Sequence, residues 1–166
     1  MKLLVVVDMQ NDFITGPLGN AECEAIVENV VEKVKTFPGD IIFTQDTHYD
    51  NYLDTQEGKN LPVKHCVTGT KGWEIIPELK EYAKFTVKKN TFGSKDLLDH
   101  IGFDNYDEIE LVGVCTGICV ISNAFLIKAF YPEIPITVDS ECCACVTPAT
   151  HKNALEAMKL CQINVV

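Results

Sequence analysis

The chain has 166 residues, 46 % of them hydrophobic and 23 % charged, a balance that suits a single folded domain over residues 1–166 and excludes a disordered or low-complexity chain. Its formal net charge of −10, with no local run of Lys or Arg, argues against nucleic acid and against anionic membrane surfaces as partners. The acid recurs along helical stretches, as in Glu22, Glu24, Glu28 and Glu32, and reads as a solvated face.

Met1-Lys2 precedes the apolar run Leu3–Val7, which is too short for a secretory signal and is closed by Asp8. No stretch has the length of a transmembrane helix, so a cytoplasmic protein is expected. The eight cysteines are then reduced thiols, mostly small buried hydrophobes such as Cys23 and Cys161. The run Leu3–Val7 reads as a strand covered on both faces. From Ala21 to Lys35, residues Ile26, Val27, Val30, Val31 and Val34 keep helical spacing. Ile41–Phe43 is a second strand, ending near Gln45-Asp46.

A polar stretch from Thr47 to Gly72 follows, too long for an ordinary connection and therefore a functional candidate. Next come a short helix over Glu74–Tyr82, a strand at Phe85–Val87 and a helix over Lys95–Ile101. A strand at Ile109–Val112 leads to a helix over Ile118–Phe130. Ile134–Val138 (strand), Pro148–Leu160 (helix) and Ile163–Val166 (strand) complete the chain. This alternation predicts a doubly wound α/β fold with a mostly parallel six-stranded sheet and helices on both faces. Ligands in such sheets bind beyond the carboxyl ends of the strands, which selects the polar residues worth inspecting.

Asp8 ends the first strand, Asp46 the second and Lys88 the third. Cys119 lies in the turn Gly113–Cys119, where the fourth strand gives way to its helix. A helix N-terminus stabilises a thiolate and offers N–H groups to an oxyanion, although taken alone Cys119 reads first as a small buried thiol. Asp8 is costly to bury unless paired, and Lys88 is a suitable partner. Together the three predict a site in which Asp8 moves the proton, Lys88 holds the charge and Cys119 attacks. Strand alternation sends Lys88 and Lys89 to opposite faces, so one of them reaches the site.

The stretch Val7-Asp8-Met9-Gln10-Asn11-Asp12-Phe13, with Val87-Lys88 and Gly113-Val114-Cys115-Thr116 leading to Cys119-Val120, resembles the isochorismatase-like hydrolases and, within them, the nicotinamidase branch. The resemblance covers essentially the whole chain. It implies an isochorismatase-like fold and an Asp–Lys–Cys triad at Asp8, Lys88 and Cys119. It also implies a cis peptide joining Val114 to Cys115, with the backbone N–H groups of Cys115 and Cys119 as oxyanion donors. Where many relatives carry Asp and an aromatic residue this chain has Gly117 and Ile118, a departure that bears on the pocket.

Asp46-Thr47-His48 and the later His65, two of the chain's four histidines, with Glu57 between, are able to supply a divalent ion with N and O ligands, or simply to be solvated loop residues. The resemblance implies a metal here, zinc above all, that takes the ring nitrogen of a pyridine carboxamide. Phe13 and Trp73 are candidate walls for a flat ring, and each reads equally as core. Cys142-Cys143-Ala144-Cys145 fits no paired Cys-x-x-Cys motif and reads as packing; His151 reads as surface or capping chemistry. The expected function is a cysteine amidohydrolase acting on a small amide, nicotinamide first. Rivals are another amidase of the superfamily, a non-catalytic binding member and, from the cysteine count alone, a redox thiol protein. A homo-oligomer is compatible with the pattern.

Overall fold

Leu3, Leu4, Val5, Val6 and Val7 are all fully buried, and they sit at the middle of the sheet. The computed structural model describes residues 1–104 and 106–166, without the side chains at 103 and 104. Its six strands are β1 (Lys2–Val7), β2 (Asp40–Asp46), β3 (Thr86–Lys89), β4 (Glu108–Val114), β5 (Ile136–Ala144) and β6 (Asn164–Val165), in the order β3-β2-β1-β4-β5-β6. Every pairing is parallel. The helices are α1 (Asn11–Ile14), α2 (Ala21–Ala25), α3 (Val27–Thr36), α4 (Gln56–Asn60), α5 (Lys95–Asp104), α6 (Ile121–Phe130) and α7 (Pro148–Leu160). This is the doubly wound architecture expected from the sequence.

Period-two alternation divides β1 between two cores. Leu3, Val5 and Val7 join Ile42, Val87, Leu111 and Val120 on one face of the sheet. Leu4 and Val6 join Phe43, Val112, Val114 and Val30 on the other. Each such aliphatic side chain contributes roughly 1.5–3 kcal/mol on burial, so the central strand alone accounts for a large stabilising term. The order reverses between β1 and β4, the switch point at which ligand crevices form.

Four local expectations change. The helix expected over Ala21–Lys35 breaks at Ile26, and Asn20 caps its first piece by accepting the Cys23 N–H at 2.9 Å. Only a 3₁₀ turn, Pro77–Leu79, remains of the helix expected over Glu74–Tyr82. β5 runs on to Ala144, so Cys142 and Cys143 are strand residues, one in each core. Cys161, expected inside, is exposed at the end of α7, while the other cysteines are buried or half-buried. None of the described helices is long and apolar enough to cross a membrane.

Candidate active site

Asp8 follows β1 in a left-handed conformation, φ 48°, which Asp tolerates better than most residues. By alternation it would share the face of Leu4 and Val6; the left-handed turn brings it to Thr44 instead, across the adjacent strand β2. The Thr44 hydroxyl donates to Asp8 Oδ1 at 2.7 Å and accepts the Asp8 N–H at 3.2 Å. Asp8 Oδ2 lies 2.6 Å from the Lys89 ammonium. Both side chains are essentially inaccessible. Burial pushes the Asp8 carboxyl above the ordinary carboxylate range, against the pull of Lys89.

The lysine in the site is therefore Lys89 and not Lys88, which corrects the expectation from the sequence. β3 pairs Gln45 with Lys88 and Asp46 with Lys89. Val87 packs on the core that contains Cys119, and Lys89, two residues on, shares its face. Its Nζ lies 3.3 Å from Asp46 Oδ1 and 3.5 Å from Cys119 Sγ. Lys88 points the other way, with Nζ 5.0 Å from the Trp73 ring centroid.

Cys119 sits inside a π-helical turn, Thr116–Val120, that runs directly into α6. The Cys115 carbonyl accepts the N–H groups of Ile118 (3.0 Å) and Val120 (3.1 Å), folding the turn back on itself. The Val114–Cys115 peptide is cis. Asn123, fully buried, donates to the Cys119 carbonyl at 2.8 Å while its Oδ1 accepts the Ser94 N–H at 2.9 Å. The expected lowering of the thiol pKa is not met. Burial, and then the Asp8 charge, push the Cys119 thiol well above its ordinary value despite Lys89. The raised thiol thus lies in contact with a carboxyl whose pKa is raised as well.

The long polar stretch folds so that Asp46, His48, Glu57 and His65 converge, with their ligand atoms all within 4.8 Å of one another. His48 N–H donates to the Cys66 carbonyl and His48 C=O accepts from Thr68, each at 2.9 Å, which holds the His65 segment beside the end of β2. Asp12 Oδ2 accepts the Cys66 N–H at 2.8 Å and secures the same segment from α1. α4, capped by Thr55, brings in Glu57. His48 Nε2 stands 2.9 Å from Asp46 Oδ2 and 3.5 Å from Glu57 Oε1; His65 Nε2 stands 3.5 and 3.6 Å from the same two atoms.

Four ligands around a zinc-sized ion stand about 3.4 Å apart, so these separations fit a tetrahedral cation site. The His65 Nδ1–H donates to the Val63 carbonyl at 2.8 Å, leaving Nε2 free to face a metal. Although burial raises it, Asp46 is held well below the ordinary carboxylate range by His48, His65 and Lys89, so it remains a charged donor.

A cleft of about 750 Å³ opens over this group and is walled by His48, Tyr52, Glu57, Phe92 and Ile118. Neither of the expected walls borders it. Phe13 is buried behind His65, ring centroids 5.5 Å apart. Trp73 Nε1 donates to Thr47 Oγ1 at 2.9 Å, and its carbonyl accepts the Gln10 and Gln45 amides. The sequence reading missed Tyr52, Thr44 and Asn123, and it weighed Lys89 but placed Lys88 in the site. Of the two departures, Ile118 faces the cleft, whereas Gly117 packs against Cys145 and α7. His151, expected at the surface or in a capping role, is half-buried and its Nδ1 lies 2.7 Å from the Thr116 hydroxyl.

Residues 2–166 match the family model described as the isochorismatase domain. The chain belongs to the isochorismatase family. Family relatives include the nicotinamidase/pyrazinamidase of Mycobacterium tuberculosis, 27 % identical over 100 % of this chain and 98 % of that protein. Among solved structures, the nicotinamidase of Bacillus subtilis superposes with a TM-score of 0.86 at 26 % identity, covering 99 % of this chain and 98 % of that one. The pyrazinamidase of Pyrococcus horikoshii, solved in complex with zinc, superposes at 0.87 with 27 % identity, covering 99 % and 98 %. This isochorismatase-family fold agrees with the resemblance read from the Asp8, Gly113 and Cys119 segments.

Proposed function

We propose that this protein is a cytoplasmic cysteine amidohydrolase, and specifically a nicotinamidase that converts nicotinamide and water to nicotinic acid and ammonia. The observation that carries this reading is the buried contact of Asp8, Lys89 and Cys119 where β1 and β4 part. The family relatives support amide hydrolysis.

Cys119 Sγ attacks the carboxamide carbon while its proton passes to Asp8. Lys89 balances the negative charge that moves between them. The backbone N–H groups of Cys115 and Cys119 receive the developing oxyanion. Asp8 returns the proton to the departing ammonia, leaving a thioester on Cys119. Asp8 then deprotonates a water that releases the acid. The raised Asp8 pKa suits a group that must both accept and give a proton.

Asp46, His48, Glu57 and His65 would hold a divalent ion, zinc by its donor set, whose Lewis acidity draws electrons from a pyridine nitrogen and orients the ring. The cleft walled by Tyr52, Phe92 and Ile118 is wide enough for a flat heteroaromatic ring.

The test is ammonia release by metal-loaded protein from nicotinamide, pyrazinamide, benzamide and an aliphatic amide. Nicotinamide should be turned over best, and Cys119→Ala should abolish turnover. Absence of nicotinamide turnover with hydrolysis of another amide would reassign the substrate; absence of all turnover would overturn the enzyme reading.

A further inference from the structure

Outside the site, three thiols meet beneath the nucleophile turn. The Cys115 thiol is in hydrogen-bonding contact with both Cys145 and Cys23. β4 and β5 pair Val114 with Ala144 as their last residues, and Cys115 and Cys145 each follow directly after these strand ends. The two strand ends are neighbours about 4.8 Å apart, which brings the segments that leave them close together.

Cys145 has a second, independent feature. It forms the floor of a separate cleft of about 360 Å³, walled by Gly117, Ile118, Val146, Thr150 and Asn153. A Cβ on Gly117 would stand 3.3 Å from Cys145 Sγ, so a side chain at 117 would crowd the sulfur on this side. Cys115 and the backbone N–H groups of Gly117 and Val146 all donate toward Cys145 Sγ, and its pKa is drawn down to about 5 against burial. Cys23 also touches Cys115 but is fully buried. A thiol of lowered pKa bordering a cleft, with a second thiol in contact, has the layout of a peroxide-reactive pair.

We propose that Cys145 and Cys115 form an oxidisable dithiol that takes a small hydroperoxide through this cleft. The Cys145 thiolate attacks the terminal peroxide oxygen and the O–O bond breaks. Cys145 becomes a sulfenic acid, and the leaving alkoxide or hydroxide takes the Cys115 proton. The Cys115 thiolate attacks Cys145 Sγ, the S–O bond breaks, and the departing hydroxide is protonated by solvent. In sum, two thiols and one peroxide give a disulfide, an alcohol (or water) and a further water. The Cys115 carbonyl anchors the turn that presents Cys119, so the cross-link would distort the nucleophile's seat. The loss of amidase activity rests on the function proposed above, whereas the cross-link itself does not.

The experiment treats the full chain with a small molar excess of hydrogen peroxide, alkylates the remaining thiols and maps the digest by mass spectrometry. A Cys115–Cys145 linked peptide that disappears on reduction is expected, and Cys23→Ser should still form it. Amidase activity of the oxidised fraction should fall about 100-fold, the scale of losing one oxyanion donor, and return with a thiol reductant. Cys145→Ser, or Cys145→Ala should the serine variant fail to fold, should keep its basal rate and resist this loss. Full alkylation of Cys115 and Cys145 after treatment, or a Cys115–Cys23 link in their place, overturns the proposal whether or not the protein hydrolyses amides. Equal inactivation of the Cys145 variants points to oxidation of Cys119 and overturns the regulatory part.

Discussion

Lys89→Met and Lys88→Met differ by one position and should differ by orders of magnitude in effect. Lys89 is the sole cation within 4 Å of two buried carboxylates among the described residues, 2.6 Å from Asp8 and 3.3 Å from Asp46. At an effective dielectric of 20 those distances correspond to attractions of about 6 and 5 kcal/mol before desolvation. Methionine fills the volume but leaves Asp8 without a counter-charge. The net cost of breaking such a buried pair is about 3–5 kcal/mol. Part of that cost is avoided if Asp8 takes a proton, but a protonated Asp8 cannot accept the Cys119 thiol proton. The rate should then fall by about 10²–10⁴, the span of a lost general base. Lys88→Met gives up only a contact with the Trp73 ring, worth about 0.5–1 kcal/mol at an exposed site, and should leave kcat unchanged.

Ammonia release at saturating nicotinamide, with urea unfolding curves for each variant, reads both quantities. Thr44→Val is the milder companion: it removes the 2.7 Å bond to Asp8 without removing charge, and should cost about 1–2 kcal/mol and a smaller fraction of the rate. A folded Lys89→Met enzyme with undiminished turnover, or equal losses in the two lysine variants, would refute the reasoning.

His65→Ala or His48→Ala should lower the divalent metal retained after dialysis, measured by elemental analysis, and should abolish the rise in Tm on metal addition. Gly72→Ala places a Cβ 2.1 Å from the Asp12 carboxylate that secures Cys66; it should cost about 1–3 kcal/mol in unfolding assays and weaken metal retention. Asn123→Ala should reduce kcat more than it raises KM, because it frees the Cys119 carbonyl from its tie to Ser94. Lys33→Met probes the half-buried bridge to Glu110 (2.7 Å) and Asp139 (2.8 Å), where burial raises Asp139 but the Lys33 hydrogen bond brings it below its ordinary value. That contribution is present above the unfolded Asp value near 3.9 and is lost as pH falls through the lower folded value, so the stability gap between parent and variant, about 1–2 kcal/mol at neutral pH, should close in acid.

The architecture was legible because its signals are local. Leu3–Val7 has no polar residue to offer solvent on either face, which only a central parallel strand satisfies. Asp46, His48, Glu57 and His65 were legible because metal-donor residue types stand out in a polar loop. What could not be read was parity. The segment Val87-Lys88-Lys89 shows that the lysines diverge, but selecting one requires knowing that Val87 packs on the Cys119 face, a fact supplied by the strand order. The pocket walls had the same difficulty. Tyr52 reaches His48 and His65, at 4.7 and 5.0 Å between ring centroids, only because the polar stretch coils into a 3₁₀ turn, Tyr52–Asp54, ahead of α4. The effect of burial on Cys119 was likewise hidden, since a helix start and a sealed core act on a thiol with opposite sign.

The sheet order also explains why the cation of this site is a lysine on β3. β2 lies between β3 and β1, so the charge must cross one strand to reach Asp8. A long, unbranched side chain does so by lying along the ends of the strands, passing Asp46 on the way. That path makes Asp46 a member of two groups at once, 3.3 Å from Lys89 and 2.9 Å from His48. Under the proposed function, a substitution at Asp46 should therefore disturb both the Asp8–Lys89–Cys119 group and the cation site, whereas one at Glu57 or His48 should leave the ion pair of Asp8 and Lys89 intact. The two histidine variants and Lys89→Met should consequently fail in different ways: the first lose bound metal with Asp8 still paired, the second loses the rate with three of the four metal donors undisturbed.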